Sequence, residues 1–170
     1  MRLSTTPNAI AVVLAVVMVS ALSPAIADGP TGPGAKRSIE GVWTVTTTPR
    51  ICTTGAAIPG AEFEGLFTFH KDGTMSAWLQ NSFITVTRSP SQGLWQRDHG
   101  WSNYSFGFIH LRYDISGFFI GKQTAAGHLE LNESGDQFTT DSSTALFDTN
   151  GLPLGGGCAS SVGTRFKLGS

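Results

Sequence analysis

Residues 102–113 read Ser-Asn-Tyr-Ser-Phe-Gly-Phe-Ile-His-Leu-Arg-Tyr. Tyr104, Phe106, Phe108, His110 and Arg112 fall on one face, with Ser105, Gly107, Ile109, Leu111 and Tyr113 on the other. A period of two over that length predicts a β-strand, because successive side chains leave a strand on opposite faces. Phe63, Phe67 and Phe69 share a face in the same way. Turn chemistry punctuates the chain on both sides of this stretch. Asp72-Gly73 favours a hairpin, Glu133-Ser134-Gly135-Asp136 reads as a second turn, and Asp148-Thr149-Asn150-Gly151 as a third.

Strands are therefore expected near 40–52, 63–70, 74–80, 83–87, 93–97, 102–113, 117–132, 137–147 and 158–168. Gly127 offers a point of bending or division in the run 117–132. Ser89-Pro90-Ser91-Gln92-Gly93 reads as loop, and Gly155-Gly156-Gly157 as slack before the last strand. No helix of normal length is evident after residue 27. The expected fold is all-β: an antiparallel up-and-down β-barrel of eight to nine strands, whose closure removes exposed edges. A β-sandwich is the competing architecture. Gly93-Leu94-Trp95 echoes Gly41-Val42-Trp43, which would fit a weak internal duplication, although the flanking residues match poorly.

Composition agrees with short strands and tight turns. Charged residues make up 14% of the chain, with 21 Gly and 11 Phe against 3 Met, which argues against a coiled coil, a long helical bundle or an acidic disordered chain. The formal net charge of −1 gives no general electrostatic reason to bind nucleic acid or anionic membrane. Basic and aromatic residues are not interleaved as nucleic-acid binding would require.

The first 27 residues carry the marks of an export signal. Met1-Arg2 is positive, Ile10 to Leu22 is apolar apart from Ser20, Pro24 breaks the run, and Ala25-Ile26-Ala27 supplies small residues for cleavage. The apolar run falls short of the about 20 residues a spanning helix needs. An uncleaved anchor is the alternative. No Cys follows the cleavage point, so a lipid-modified N-terminus is not expected. The expected organisation is a signal peptide over 1–27, a flexible leader over 28–37 and a barrel domain over 38–170. After cleavage no stable membrane span is expected, and the protein would be secreted or periplasmic.

Gly41-Val42-Trp43 opens the first strand after the leader, and Gly163-Thr164-Arg165-Phe166 lies in the last. This arrangement resembles the lipocalin-like, or calycin, barrels, which carry a Gly-x-Trp near the start and an Arg on the final strand. The resemblance implies that Trp43 plugs one end of the barrel while Arg165 covers its ring by a cation–π contact. An ordinary core Trp and an unrelated surface Arg is the competing reading. The cysteines supply a further check. Directly opposed residues on antiparallel strands have a constant index sum. The sums for Trp43 with Arg165 and for Cys52 with Cys158 differ by two, one diagonal step, so a single pairing of first and last strands serves both contacts. A Cys52–Cys158 disulfide is then expected in an oxidising compartment, with free thiols as the alternative. It would close a loop of about 100 residues and contribute up to roughly 5 kcal/mol in the chain-entropy model.

The chain departs from lipocalins proper in lacking their Thr-Asp-Tyr type motif and any room for a C-terminal helix. The biotin-binding residues of the helix-free avidins do not match after Trp43 either. The resemblance thus implies a fold and no ligand. Gly-Val-Trp, then Cys-Thr-Thr-Gly, then Leu-Phe-Thr-Phe-His-Lys-Asp-Gly-Thr also resemble exported bacterial domains that have no assigned function.

The sequence carries few marks of catalytic or metal chemistry. His70, His99, His110 and His128 show no compact zinc spacing, and the two cysteines form no Cys-x-x-Cys pair. No metal and no cofactor is expected. There is no Gly-x-Ser-x-Gly, adjacency of Asp98 and His99 makes no triad, and Asp148-x-Asn150-Gly151 lacks the Glu of a calcium loop. If the face of Tyr104, Phe106, Phe108, His110 and Arg112 lines the barrel, it forms an aromatic wall with a polar end, suited to a small apolar ligand. Otherwise Phe106 and Phe108 fill the core while His110 and Arg112 reach water at the rim. The first functional reading is a binding protein for a small hydrophobic molecule. A barrel enzyme of cyclase or isomerase type is the alternative. His110, Arg112 and Tyr104 would be its acid–base groups, provided at least two converge on one dry pocket. A structural or interaction domain without a small ligand is the third reading.

Overall fold

The protein is described over residues 37–80 and 86–169 of a computed structural model. The expected signal peptide, nearly all of the expected leader and most of the expected strand 83–87 lie outside the described residues.

Nine strands run in chain order: β1 (Gly41–Arg50), β2 (Phe63–Phe69), β3 (Thr74–Leu79), β4 (Thr87–Arg88), β5 (Ser91–Arg97), β6 (Asn103–Tyr113), β7 (Phe119–Leu131), β8 (Gln137–Phe147) and β9 (Pro153–Arg165). Every pairing is antiparallel. β1, β2, β3, β5, β6, β7, β8 and β9 follow one another around the wall, and β9 pairs with β1 to close it. The result is an eight-stranded up-and-down barrel with β4 as an additional short strand. Among the described residues there is no helix, at the C-terminus or elsewhere.

Local chemistry sets the turns. Between β2 and β3, Asp72 Oδ1 accepts from Thr74 N at 2.9 Å and from Thr74 Oγ1 at 2.6 Å. These bonds fold the hairpin that the Asp-Gly pair predicts. The closing register runs from Trp43↔Arg165 to Arg50↔Cys158. Cys52 lies just beyond β1 and is bonded to Cys158, with a Cα–Cα distance of 5.2 Å and a sequence separation of 106.

Three expectations change. The ladder begins at Ser91 instead of passing through a loop. β4 and β5 pair with the same strand, Arg88 opposite Arg112 and Gln92 opposite Ile109, with a one-residue change of register at Ser89-Pro90. Pro90 has no N–H to give the ladder, and at this break the Leu111 N–H bonds to the Ser89 side chain, whose Oγ accepts it at 3.0 Å. The triple glycine is paired strand, Gly156 opposite Ala145 and Gly157 opposite Thr144. Without side chains it carries no alternation for a sequence reading to detect. β7 runs through Gly127 undivided, in register with Phe106 and Ser142.

One half of the interior is solid. Trp43, Tyr104, Phe138, Ile39, Met75, Leu129 and Leu131 are fully buried there. Trp43 and Phe138 rings pack 4.9 Å apart, and Trp43 Nε1 donates to Ile39 O at 2.8 Å. The Arg165 guanidinium lies 4.2 Å from the Trp43 ring centroid. It also donates to Glu40 O at 2.6 Å, to Gly135 O at 2.8 Å and to Ser38 O, so one side chain ties the chain entering β1 to the β7–β8 turn. Gly41 takes φ +128°, and a Cβ there would sit 3.0 Å from Arg165 Nη1. Both facts explain the glycine two places before the tryptophan. At Gly163 a Cβ would fall 2.2 Å from the Phe138 ring, so this glycine lets the ring lie against β9.

Candidate functional site

The other half of the interior is not solid. The inward face of β6 carries Phe106, Phe108 and His110 in a stacked series, with ring centroids 6.2 Å and 6.5 Å apart. Phe67 on β2 packs against both phenylalanines, at 6.2 Å and 5.8 Å, and against Phe138 below at 6.3 Å. These rings floor and wall a cavity of about 190 Å³. Thr47, Arg88, Gln123, Ser142, Thr144 and Ser161 supply its polar lining, and among the described residues no Asp or Glu lines it.

His110 is the chemically distinctive group. It is 3% exposed, so it does not reach water at the rim. Its Nδ1 meets Ser91 Oγ at 3.4 Å, while its Nε2 is buried with no hydrogen-bond partner. Burial first, then the positive charge of Arg88, holds its pKa down to about 4. Gln123 opposes that shift without meeting hydrogen-bond geometry at Nε2, and Arg112 adds to it. The ring is therefore neutral near pH 7. Arg88 is itself lowered from its ordinary value, by burial first and by the like charge of Arg112 second.

The structure divides the face predicted from sequence. Phe106, Phe108 and His110 line the cavity. Tyr104 does not; six residues from His110 is about 20 Å along a strand, and Tyr104 is buried in the packed half. Its hydroxyl donates to Trp101 O at 2.9 Å and accepts from Arg97 at 3.1 Å. Arg112 is half-buried beside Arg88 and is not part of the lining. Of the three acid–base candidates, only His110 faces the cavity. Sequence reasoning missed Arg88, Gln123 and Phe67. Phe67 had the signal of strand alternation, and Gln123 follows from counting inward positions along β7. Arg88 sits beside Ser89-Pro90, where the pattern is broken.

Two wider hollows lie open on the outer wall. One of about 610 Å³ runs past Arg50, Cys52, His128 and Asp141, and another of about 440 Å³ past Asp98, His99 and Glu130. Ser105 Oγ, on the outer wall, donates to Asp98 Oδ2 at 2.7 Å and lies 3.3 Å from His128 Nδ1. The serine bonds to the carboxylate directly, and the His128 side chain is 83% exposed, which is not the geometry of an activated nucleophile. Among the described residues, no cluster of three His, Cys, Asp or Glu side chains could hold a metal ion. Among those residues, too, no helix is long and apolar enough to cross a membrane.

Compared with known proteins, the chain matches no family model and no curated protein.

Proposed function

We propose that this protein is an exported binding protein that holds a small, mainly hydrophobic molecule in the open half of its barrel. One observation carries the reading: an interior cavity of about 190 Å³ with phenylalanine walls and a buried, unpartnered His110 nitrogen. Eight-stranded barrels either fill their interior or hold one small ligand, and this interior is filled in one half alone. The calycin-like ends fit the same picture, because Trp43 and Arg165 plug the half opposite the cavity. The disulfide fits a secreted or periplasmic location reached through the segment 1–27. The enzyme reading finds less support, since Tyr104 and Arg112 do not join His110 at the cavity.

Ala125 lies on the cavity lining and is 6% exposed. An Ala125→Leu variant adds three carbons to that space while keeping an apolar side chain. Calorimetric titration with toluene should show one site in the native protein and none in the folded variant. Equal binding by both would refute an interior site.

A further inference from the structure

We infer that the occupant of this cavity is a compact carboxylate: an apolar body about the size of one six-membered ring, with its carboxylate turned toward Arg88 and His110. The inference rests on the binding reading above and narrows its ligand class.

Size is the first constraint. A dry cavity of about 150 Å³ holds benzene. The volume here is about 190 Å³, which holds such a ring and leaves room for a substituent the size of a carboxylate.

Charge is the second. Arg88 is the one charged side chain lining the cavity among the described residues. It stands directly opposite Arg112 on β6. Like charges in that position destabilise a sheet. The ion pairs among the described residues are His128–Asp98 and Lys167–Asp136, so neither arginine has a carboxylate partner there. A ligand anion would remove the repulsion, and a guanidinium is shaped to take a planar carboxylate through two parallel hydrogen bonds.

Hydrogen bonding is the third. His110 Nε2 is buried with no partner and belongs to a residue that lines the cavity. When the Ser91 hydroxyl donates to Nδ1, the neutral ring carries its hydrogen on Nε2 and presents a donor to the cavity. An unpaired buried donor is destabilising, and a carboxylate oxygen supplies its acceptor. Phe67, Phe106 and Phe108 give the ring an apolar wall, and the other polar lining groups, Thr47, Gln123, Ser142, Thr144 and Ser161, are uncharged.

Benzoate, benzamide and benzamidine share one shape and carry a negative, a zero and a positive charge, so their comparison isolates the charge. Titrated into the full protein near pH 7, benzoate should bind at least about tenfold more tightly than benzamide, with benzamidine weakest. In Arg88→Gln the benzoate preference should fall to about threefold or less while benzamide affinity holds. Arg112→Gln serves as a second variant should the first fail to fold, and it should lower the preference in the same direction. Benzamide binding as well as benzoate, or a benzoate preference unchanged in whichever variant folds, would overturn the inference and leave the binding reading standing. Failure of all three probes and of toluene to bind would overturn both.

Discussion

Acid should destabilise this barrel through His110 in a way that a single substitution removes. The folded protein holds this imidazole at about 4, against an ordinary value of 6.5. The unfolded chain therefore takes up a proton at a pH where the folded chain does not. The resulting stability is complete above pH 6.5 and is lost as pH falls toward 4. At 1.36 kcal/mol per pH unit, the full span amounts to about 3 kcal/mol, a sizeable part of the roughly 5–15 kcal/mol that holds a domain folded. Ser91 on β5, Gln123 on β7, and Arg88 and Arg112 at the rim are the polar and charged groups acting on the ring. None of them is acidic; Gln123 alone favours the imidazolium, and burial together with the two arginines outweighs it. Guanidinium unfolding of native protein and of His110→Phe, disulfide intact, at several pH values from 7.5 to 4 would measure the effect. The native protein should lose about 3 kcal/mol more than the variant over that range, the other histidines and the carboxylates contributing equally to both. Parallel stability curves would refute a buried neutral His110.

Arg165→Met should keep a long side chain over Trp43 but strand the carbonyls of Ser38, Glu40 and Gly135, lowering stability by about 3 kcal/mol in chemical denaturation. Trp43→Ala should cost about 3–5 kcal/mol, read as a drop in melting temperature. Replacing both cysteines by serine should cost about 2–5 kcal/mol in denaturant titrations, and native protein in reducing agent should match the variant.

Alternation along residues 102–113 and the turn residues around Gly73, Gly135 and Gly151 made the strand order readable, since period-two burial and tight turns are local properties. The closing pair was readable because Trp43 with Arg165 and Cys52 with Cys158 imply one register. Depth within the barrel was not readable. Tyr104 and His110 share a face, yet one is packed beneath Trp95 and the other borders a cavity. Alternation assigns a face and says nothing about how far the opposite wall's side chains reach. That depends on Phe67, Phe138 and Gly163, brought in from three other strands. Arg88 was hidden for a different reason. Pro90 separates β4 from β5 along β6, so the segment around it has no strand pattern to place an arginine inside.

Nuclear Overhauser contacts between bound toluene or benzoate and the isotopically labelled protein would locate the occupant within the molecule. The ring protons of Phe67, Phe106 and Phe108 should show contacts to the ligand, and the outward Trp78 and Leu94 side chains should show none. Contacts confined to outer-wall residues, or the absence of any contact at saturating ligand, would contradict a binding cavity inside the barrel.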